Sequence, residues 1–219
     1  MKKKELFLKE LLKNYTDLVW DYDDTLSNTI DKKGDAYARI FCNESSKLRD
    51  FVKNHHLKHP GLSRDIKLPI YIKESMKYTN NKNSYEINLA KKMFSKYCID
   101  LLTETPLVSV LEDYIENSLT HKKHHILTNM PQDEIDKVIL SKNMVDNFNI
   151  IKGSSNNKVI SLREIILLLP SNANIAVIGD SEQDFIAAKK NKIDFILRES
   201  RNNLDLQEKL SCPIIKVLD

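Results

Sequence analysis

The chain has 219 residues, of which 41% are hydrophobic and 30% charged, a balance that excludes a wholly disordered protein and a fibre. Its 34 basic and 31 acidic residues give a net charge of +3, which is too even to indicate a nucleic-acid-binding protein. Only four glycines and six prolines argue against an all-β protein full of tight turns.

The sequence predicts a cytoplasmic protein without a membrane span. Cys42, Cys98 and Cys212 are far apart and odd in number, which fits a reducing compartment. Charged residues interrupt the apolar positions of residues 1–14, so this segment predicts an amphipathic helix rather than a signal peptide. The sequence contains no run of about 18 uncharged apolar residues, the length that a membrane-spanning helix needs.

Short apolar runs alternate with helical patterns along most of the chain. The first run, Asp17–Asp21, ends in acidic residues, as a buried strand does when it delivers side chains at its C-terminal tip. The alternation predicts an α/β protein with a Rossmann-like, doubly wound parallel sheet, whose ligand site lies beyond the carboxyl ends of the strands. Further strands are predicted at His124–Thr128, Asn149–Lys152, Ile175–Ile178, Asp194–Leu197 and Pro213–Val217. Helices are predicted at Gln132–Leu140, Ile160–Leu169, Gln183–Lys190 and Leu204–Leu210.

Residues 32–104 interrupt this alternation and predict an inserted, all-helical domain, because they are too many for a loop within a compact domain. Residues 1–31 and 105–219 are then expected to form the α/β domain. Within the insert, helices are expected at Asp35–Asn54 and Asn83–Lys96, with Asn80–Ser84 as a loop.

The insert differs in charge from the rest of the chain. It holds 15 Lys/Arg against 8 Asp/Glu, a net charge of +7, whereas the remainder holds 19 against 23, a net charge of −4. A basic insert beside an acidic site suits an anionic substrate bound with a metal ion. An ordinary lysine-rich, solvated surface is the alternative.

Three carboxylates follow the first predicted strand. Asp21, Asp23 and Asp24 repel one another, and the end of a buried strand is a costly place for charged groups. A hard divalent cation such as Mg²⁺ offsets this repulsion. For this run taken alone, an Asp-rich turn with helix-capping side chains is the alternative.

Polar residues also follow two later strands. Thr128 and Asn129 offer a hydroxyl and free backbone N–H groups to phosphate oxygens, although Thr-Asn is also common turn chemistry. After the fourth strand, Gly179 is expected to let the chain turn sharply. Asp180 could then reach a metal ion, with Asp184 one helical turn later on the same side. The alternative is a helix N-terminus whose acids complement the helix dipole.

Lys158, which opens a predicted helix after an Asn/Ser loop, completes a series of motifs. In chain order the series reads DxDxT after an apolar strand, then hhhTN, a lysine, and hhhGDxxxxD, where h is an apolar residue. This series resembles the haloacid dehalogenase superfamily of phosphotransferases. The matching residues are Asp21, Asp23 and Thr25 in the first motif, Thr128 in the second, Lys158 in the third, and Asp180 and Asp184 in the fourth.

The sequence departs from the superfamily pattern at two positions. Asp24 replaces the commoner glycine of the first motif, a variant that still suits it. Asn191 stands near a position where glycine is expected, which is tolerable because asparagine also accepts the left-handed conformation.

The insert lies between the first and second motifs, a position that resembles the helical C1 cap of this superfamily. Its GxSRxxK stretch, from Gly61 to Lys67, is similar to one in a branch of these phosphatases found among enzymes that make sugar-nucleotide and surface-polysaccharide precursors. Ser63, Arg64 and Lys67 could present a hydroxyl and two cations to the phosphate or the leaving group. A solvated loop held by Arg64 is the alternative.

The resemblance implies phosphoryl transfer through a covalent aspartyl phosphate. Asp21 would be the nucleophile, and Asp23 would protonate the leaving alcohol and then activate the hydrolytic water. Asp21, Asp180 and the backbone carbonyl of Asp23 would bind Mg²⁺, and Asp184 would support the waters of the metal. Residues expected to bind phosphate oxygens are Thr25, Thr128, Asn129 and Lys158.

Asp23 favours a phosphatase or a phosphomutase, because dehalogenase members of the superfamily lack this acid and its ATPase members carry threonine there. A receiver domain, which also arranges Asp, Thr and Lys around Mg²⁺, does not fit the large insert. A phosphomutase and a catalytically silent phosphate-binding homologue stay as alternatives.

The expected partner is a small organophosphate, such as a sugar, glycerol-like or amino-alcohol phosphate, and neither a nucleic acid nor a membrane. The sequence determines neither the identity of the substrate nor the oligomeric state.

Overall fold

A computed structural model describes residues 2–78, 86–153 and 157–216 of the chain. The chain divides into two units, of which unit 1 consists of Met1–Asn28 and Pro106–Asp219, and unit 2 of Thr29–Thr105. Unit 2 is thus an insertion within unit 1. The domain boundaries expected from the sequence, after residues 31 and 104, lie close to the boundaries of these units.

Unit 1 contains a six-stranded sheet in which all described pairings are parallel. Its strands are β1 Asp17–Trp20, β2 Lys123–Leu127, β3 Ile150–Lys152, β4 Ile175–Gly179, β5 Asp194–Arg198 and β6 Ile214–Ile215. The helices of unit 1 are α1 Lys2–Leu12, α6 Ser109–Ser118, α7 Gln132–Ser141, α8 Lys158–Leu168, α9 Glu182–Asn191 and α10 Leu204–Lys209, with a short 3₁₀ helix at Val145–Asn147. The predicted α/β class with a parallel sheet is confirmed.

The order of the strands, β3-β2-β1-β4-β5-β6, places β1 between β2 and β4. The chain therefore builds the sheet outward from β1 in one direction and then in the other, so the polar residues that follow β1 and β4 come side by side. The register supports this, because Trp20 is paired with both Ile126 and Ile178.

Apolar side chains cover both faces of β1, which explains its short apolar run. Val19 belongs to a core with Leu162, Val177 and Phe195, between the sheet and the helices α8 and α9. On the other face, the Trp20 ring lies edge-on to Tyr114 of α6, with 6.4 Å between ring centroids. Burial on both faces is typical of a central parallel strand.

One buried histidine of β2 is accommodated by a chain of hydrogen bonds. Trp20 Nε1 donates to His124 Nδ1 at 3.0 Å, so the other ring nitrogen, Nε2, is the donor to Ser118 Oγ at 2.9 Å. Burial lowers the pKa of His124 to about 4, which keeps the ring neutral. A neutral histidine with both nitrogens bonded can lie within the core without an unpaired polar atom.

Unit 2 is formed by the helices α2 Ile30–Ile40, α3 Ser46–Lys58, α4 Arg64–Ser75 and α5 Ile87–Glu104. The single helix predicted at Asp35–Asn54 is wrong, because α2 ends at Ile40 and the side chain of Ser45 caps α3 by accepting from Leu48 N at 3.3 Å. Helix α4, which contains Pro69, was not predicted from the sequence.

Several other predicted bounds differ from the structure or fall outside it. The expected loop at Asn80–Ser84 lies outside the described residues, as do residues 83–85 of one predicted helix and Val217 of the last predicted strand. Helix α6 was not predicted. In the described parts of the chain, no helix is both long enough and apolar enough to cross a membrane.

Candidate active site

An acidic cluster lies at the carboxyl ends of β1 and β4. Asp21 follows β1 directly, and its backbone N–H donates to Ile178 O of β4 at 2.8 Å, which ties the two strand ends together. Carboxylate oxygens of Asp21, Asp180 and Asp184 all lie within 4.8 Å of one another. Among the described residues, this is the one group of three or more such side chains whose spacing suits a metal ion.

Lys158 joins the cluster from the first residue of α8. Its Nζ donates to Asp21 Oδ1 at 2.6 Å and forms an ion pair with Asp184 Oδ1. The Asn157 side chain caps α8 by accepting from Val159 N at 3.0 Å, which fixes where the helix begins. The sequence alone would usually place such a lysine on the surface, but its side chain is only 6% exposed.

Burial and mutual repulsion dominate the electrostatics of the cluster. Burial raises the pKa of Asp21 to about 7; Lys158 opposes this shift, while Asp184 and Asp23 add to it. The pKa of Asp180 is also raised well above its usual value, by burial and by the charges of Asp21 and Asp184. Burial alone would lower the pKa of Lys158, but the carboxylates of Asp184 and Asp21 outweigh it and raise that pKa.

The donor set fits a hard divalent cation. Three carboxylates, Asp21, Asp180 and Asp184, share one lysine, so the group carries a formal charge of −2 when all four side chains are ionised. Mg²⁺ prefers carboxylate oxygens and would balance this charge. Burial first, and the neighbouring acids second, raise the pKa values of Asp21 and Asp180, and a bound cation would oppose both effects.

Gly179 serves the site by its lack of a side chain. Its φ is not in the left-handed region, so the backbone here does not depend on a conformation that glycine alone favours. A Cβ at this position would lie only 2.4 Å from Asp184 Cγ and 2.5 Å from Asp184 Cβ. The glycine therefore lets Asp184 pack against the end of β4.

Asp184 also belongs to the N-terminus of α9. Asp184 N donates to Ser181 Oγ at 3.4 Å and Ser181 N donates to Asp184 Oδ2 at 3.2 Å, and these two bonds form a capping box. Ser181 Oγ also donates to Asp184 Oδ2, at 2.5 Å. The helix-capping interpretation of the fourth motif therefore holds, and Asp184 still pairs with Lys158 through Oδ1 while it caps the helix through Oδ2.

At the other end of α9, the left-handed residue is Lys192, with φ 58°, rather than Asn191. Asn191 is the last helical residue, and its Nδ2 donates to Val159 O at 3.0 Å and to Ala187 O at 2.9 Å. The suggested role for Asn191 as a left-handed substitute for glycine is therefore wrong.

A tight turn follows Asp21. Its Tyr22 carbonyl accepts from Leu26 N at 3.0 Å and from Ser27 N at 3.1 Å. Asp24 has φ 53°, a left-handed conformation that Asp tolerates better than most residues and that explains why glycine is common there. Thr25 is fully buried and its hydroxyl donates to Asp21 Oδ2 at 3.4 Å, while Asp23 is partly exposed.

The end of β2 contributes Thr128 and Asn129. Thr128 is fully buried, and its Oγ1 accepts from Met130 N at 3.2 Å, which is the turn chemistry considered from the sequence. Asn129 is exposed and donates through Nδ2 to Gln183 Oε1 of α9 at 2.8 Å. This bond links the turn after β2 to the first turn of α9.

Ser63, Arg64 and Lys67 lie in unit 2, at the start of α4. Ser63 is exposed, and the Arg64 guanidinium lies 4.8 Å from the ring centroid of Phe94. Lys67 is buried and its Nζ bonds to His56 Nδ1 at 2.9 Å and Pro60 O at 3.1 Å. In this structure Lys67 therefore holds the segment before α4 against α3.

Three polar residues close to the site were not predicted from the sequence. Gln183 contacts Asn129, Asn202 contacts Asp24, and Asn203 contacts the backbone of Asp180. Gln183 lies inside the hhhGDxxxxD motif, so its position was a usable signal. Asn202 and Asn203 follow β5, and no motif pointed to them.

Comparison with solved structures identifies the fold. A haloacid dehalogenase-like hydrolase from Streptococcus pneumoniae is 16% identical, with a TM-score of 0.67, and the match covers 93% of this chain and 95% of that protein. A predicted phosphoglycolate phosphatase from Haemophilus somnus is 14% identical over 91% of this chain and 93% of its own, with a TM-score of 0.71. YfnB from Bacillus subtilis, in a magnesium-bound form, is 15% identical over 84% and 86%, with a TM-score of 0.66.

No protein-family model and no curated protein matches this sequence. At the identities of the solved structures, the likeness establishes the fold. The chain has the fold of the haloacid dehalogenase-like hydrolases, which confirms the resemblance predicted from its motifs.

Proposed function

We propose that this protein is a Mg²⁺-dependent phosphatase that hydrolyses a small organophosphate through an aspartyl phosphate on Asp21. The observation that carries the proposal is the buried cluster of Asp21, Asp180 and Asp184, with Lys158 paired to two of its members. The shared fold supports it, because one protein with this fold is described as a predicted phosphoglycolate phosphatase and another as bound to magnesium.

Asp21 is suited to act as the nucleophile, because it lies at the end of β1 and Lys158 at 2.6 Å opposes the rise in its pKa that burial causes. Asp21 and Asp180 would hold Mg²⁺ together with the backbone carbonyl of Asp23, and Asp184 would act through the waters of the metal. When bound there, Mg²⁺ supplies positive charge that offsets the repulsion among the acids and the phosphoryl oxygens.

Asp23 would protonate the leaving alcohol and then take a proton from the water that hydrolyses the aspartyl phosphate. Its partial exposure suits a group that must meet both a leaving group and water. Lys158, Thr128, Thr25 and Asn129 would orient the phosphoryl oxygens and balance their charge.

We assign unit 2 the role of a cap that recognises the leaving group, with the exposed Ser63 and the partly exposed Arg64 as its candidate contact residues and the buried Lys67 as their support. The basic balance of residues 32–104 supports recognition of an anionic or hydroxyl-rich molecule. The substrate classes that fit are sugar, glycerol-like and amino-alcohol phosphates. The GxSRxxK stretch further suggests a place in the metabolism of carbohydrate precursors.

The test is phosphate release from an aryl phosphate, with Mg²⁺ or with a chelator, by the parent, Asp21→Asn and Asp17→Asn. We expect Asp21→Asn to lose at least about a hundredfold in rate, or ~2.7 kcal/mol of transition-state stabilisation. Asp17 is the matched control, because it begins the same strand and accepts from His125 Nε2 at 3.1 Å, away from the cluster.

Asp17→Asn should lower the melting temperature but keep activity within about threefold of the parent, because its contacts are structural. A loss below about tenfold in Asp21→Asn, or ~1.4 kcal/mol, would contradict a covalent role for Asp21. A parent that transfers phosphate without releasing it would instead indicate a phosphomutase. A parent that binds phosphate without turnover would indicate a silent homologue.

A further inference from the structure

The loop between β5 and α10 contacts the acid-bearing ends of β1 and β4, although none of its residues belongs to the motifs. It runs through Glu199, Ser200 and Arg201 to Asn202 and Asn203, which precede α10. Its last two residues bond to the two turns that carry the acids. The loop is therefore placed to influence the geometry of the acidic cluster.

Asn203 holds the backbone of Asp180. Its Nδ2 donates to Asp180 O and to Arg198 O, each at 2.8 Å, and its Oδ1 accepts from Ser200 N at 2.9 Å and Gln207 Nε2 at 2.8 Å. The residue is buried, at 7% exposure. Because all four hydrogen bonds fix the amide in one orientation, Asp180 is anchored to β5 as well as to its own strand.

Asn202 holds the turn after β1. Its Nδ2 donates to Asp24 Oδ2 at 3.3 Å, and Asp24 is the residue whose left-handed φ shapes that turn. The adjacent residues Asn202 and Asn203 therefore bond to the turn that follows Asp21 and to Asp180, the residue that follows β4. These are the two strand ends whose separation sets the distance between Asp21 and Asp180.

The acids of the cluster repel one another, so a restraint is needed to keep them together before a cation binds. The carboxylate oxygens of Asp21, Asp180 and Asp184 lie within 4.8 Å of one another, a separation at which like charges repel. A freely moving Asp180 would turn away, and cation binding would then have to restore its position at a cost in affinity. The amide of Asn203 resists this movement because it bonds to the Asp180 carbonyl and to β5 at once.

We propose that Asn203 and Asn202 are positioning residues that set the affinity of the acidic cluster for its divalent cation. This inference rests on the proposed metal site and adds residues to it that no motif contains. Partners that support metal ligands from outside typically contribute 10- to 100-fold, that is, about one to two powers of ten in metal affinity or activity.

The experiment measures Mg²⁺ binding by calorimetry, without substrate, in the parent, Asn203→Ala and Gln207→Ala. Gln207 is the matched control, because its Nε2 bonds to Ser200 O at 3.2 Å and to Asn203 Oδ1 but it does not contact Asp180. We expect the dissociation constant for Mg²⁺ to rise at least about tenfold in Asn203→Ala. In Gln207→Ala it should change by less than about threefold, since the Asp180 contact is kept.

Kinetic measurements on Asn203→Ala distinguish loss of a positioning role from damage to the fold. In Asn203→Ala, the Mg²⁺ concentration for half-maximal rate should rise, while kcat at saturating Mg²⁺ returns to within about threefold of the parent. A variant with a damaged fold would lose kcat at every metal concentration. If Asn203→Ala does not fold, the exposed Asn202 provides the second variant, and Asn202→Ala should raise the dissociation constant severalfold.

Unchanged Mg²⁺ affinity in both Asn203→Ala and Asn202→Ala, with a parent that binds Mg²⁺, would overturn the inference and leave the proposed function standing. A parent that gives no Mg²⁺-binding heat would overturn the proposed metal site, and this inference with it. The parent measurement thus separates the two failures.

Discussion

Asp23 differs from Asp21 in its surroundings, although only one residue separates them. Asp21 is buried and paired with Lys158, whereas Asp23 is partly exposed. The proposed mechanism uses this contrast, because the nucleophile must stay ionised and the acid/base group must exchange protons with a leaving group and with water.

Asp23→Asn should therefore keep Mg²⁺ affinity within about threefold, since the proposed metal ligand at this position is a backbone carbonyl. It should lose activity on alkyl phosphates by about a hundredfold or more, and by much less on aryl phosphates, whose leaving groups need little protonation. The measurement is kcat/KM for one substrate of each kind. An equal loss on both would refute the general-acid role.

Gly179 shows how a residue without a side chain can decide the geometry of a site. Gly179→Ala would drive a Cβ into Asp184, which both caps α9 and pairs with Lys158. We expect a lower melting temperature and at least a tenfold lower activity, because Asp184 must move; overpacking of this kind typically costs ~1–3 kcal/mol.

Gly34→Ala is the matched control, because Gly34 lies within α2 and a Cβ there would approach His56 Cδ2 no closer than 3.4 Å. Alanine should be neutral or stabilising at this position by up to about 1 kcal/mol, since glycine weakens helix interiors. A Gly179→Ala variant as stable and active as Gly34→Ala would show that Asp184 can shift without consequence.

At the scale of elements, the helices of unit 2 enclose a lysine that forms no ion pair with any described residue. Lys67 of α4 is 1% exposed, its two hydrogen bonds go to a histidine nitrogen and a carbonyl, and its Nζ lies 5.7 Å from the Tyr37 ring centroid. Burial, with a smaller contribution from the charge of Lys33, lowers the pKa of Lys67 to about 7. An ordinary pKa near 10.5 applies when the chain is unfolded.

Between pH 7 and 10.5, the unfolded chain binds a proton at Lys67 more readily than the folded chain does, so raising the pH stabilises the fold. Relative to Lys67→Met, which lacks this titration, the parent should gain on the order of 3–4 kcal/mol in unfolding free energy between pH 7 and pH 10. Urea unfolding at both pH values measures this gain.

Lys73→Met is the control for that comparison, because Lys73 is on the same helix but exposed. It measures the effect of replacing a lysine of this helix by methionine at an exposed position. A constant difference between Lys67→Met and the parent would mean that Lys67 keeps an ordinary pKa in the folded protein.

At the scale of the whole molecule, the proposed function divides the work between the two units. Unit 1 carries the acidic cluster and the proposed phosphoryl chemistry, and unit 2 is proposed to select the leaving group. Arg64, the first residue of α4, is the candidate that tests this division. Its side chain is partly exposed, with the guanidinium over the ring of Phe94.

Arg64→Ala should lower kcat/KM for the physiological phosphate ester by about 10- to 100-fold, which corresponds to a charge-assisted contact of ~1.5–3 kcal/mol. It should leave a minimal aryl phosphate nearly unaffected, because the residues of unit 1 hold the phosphoryl group. A panel of metabolite phosphates identifies the substrate, and a thermal melt controls for folding. Equal losses on both substrates in a folded variant would assign Arg64 to the phosphate or to the fold.

Local patterns in the sequence predicted most of the fold of unit 1 and the acidic residues that follow β1 and β4. The alternation of apolar runs with helical spacing predicted the parallel sheet, and the acids after β1 and β4 predicted an acidic site. Unit 2 was less predictable, because the break between α2 and α3 depends on a single Ser45 cap within a continuous helical pattern.

The sequence by itself determined which residue types stand at the strand ends, because strand length, apolar periodicity and motif spacing are properties of neighbouring residues. Only the tertiary structure decided how those residues are supported. The pairing of Lys158 with Asp21 joins residues 137 positions apart, and the bond from Asn203 to Asp180 joins different strand ends. The space that Gly179 leaves for Asp184 and the burial of Lys67 likewise depend on how the chain packs against itself. Such contacts follow from the three-dimensional path of the backbone, which no local pattern contains.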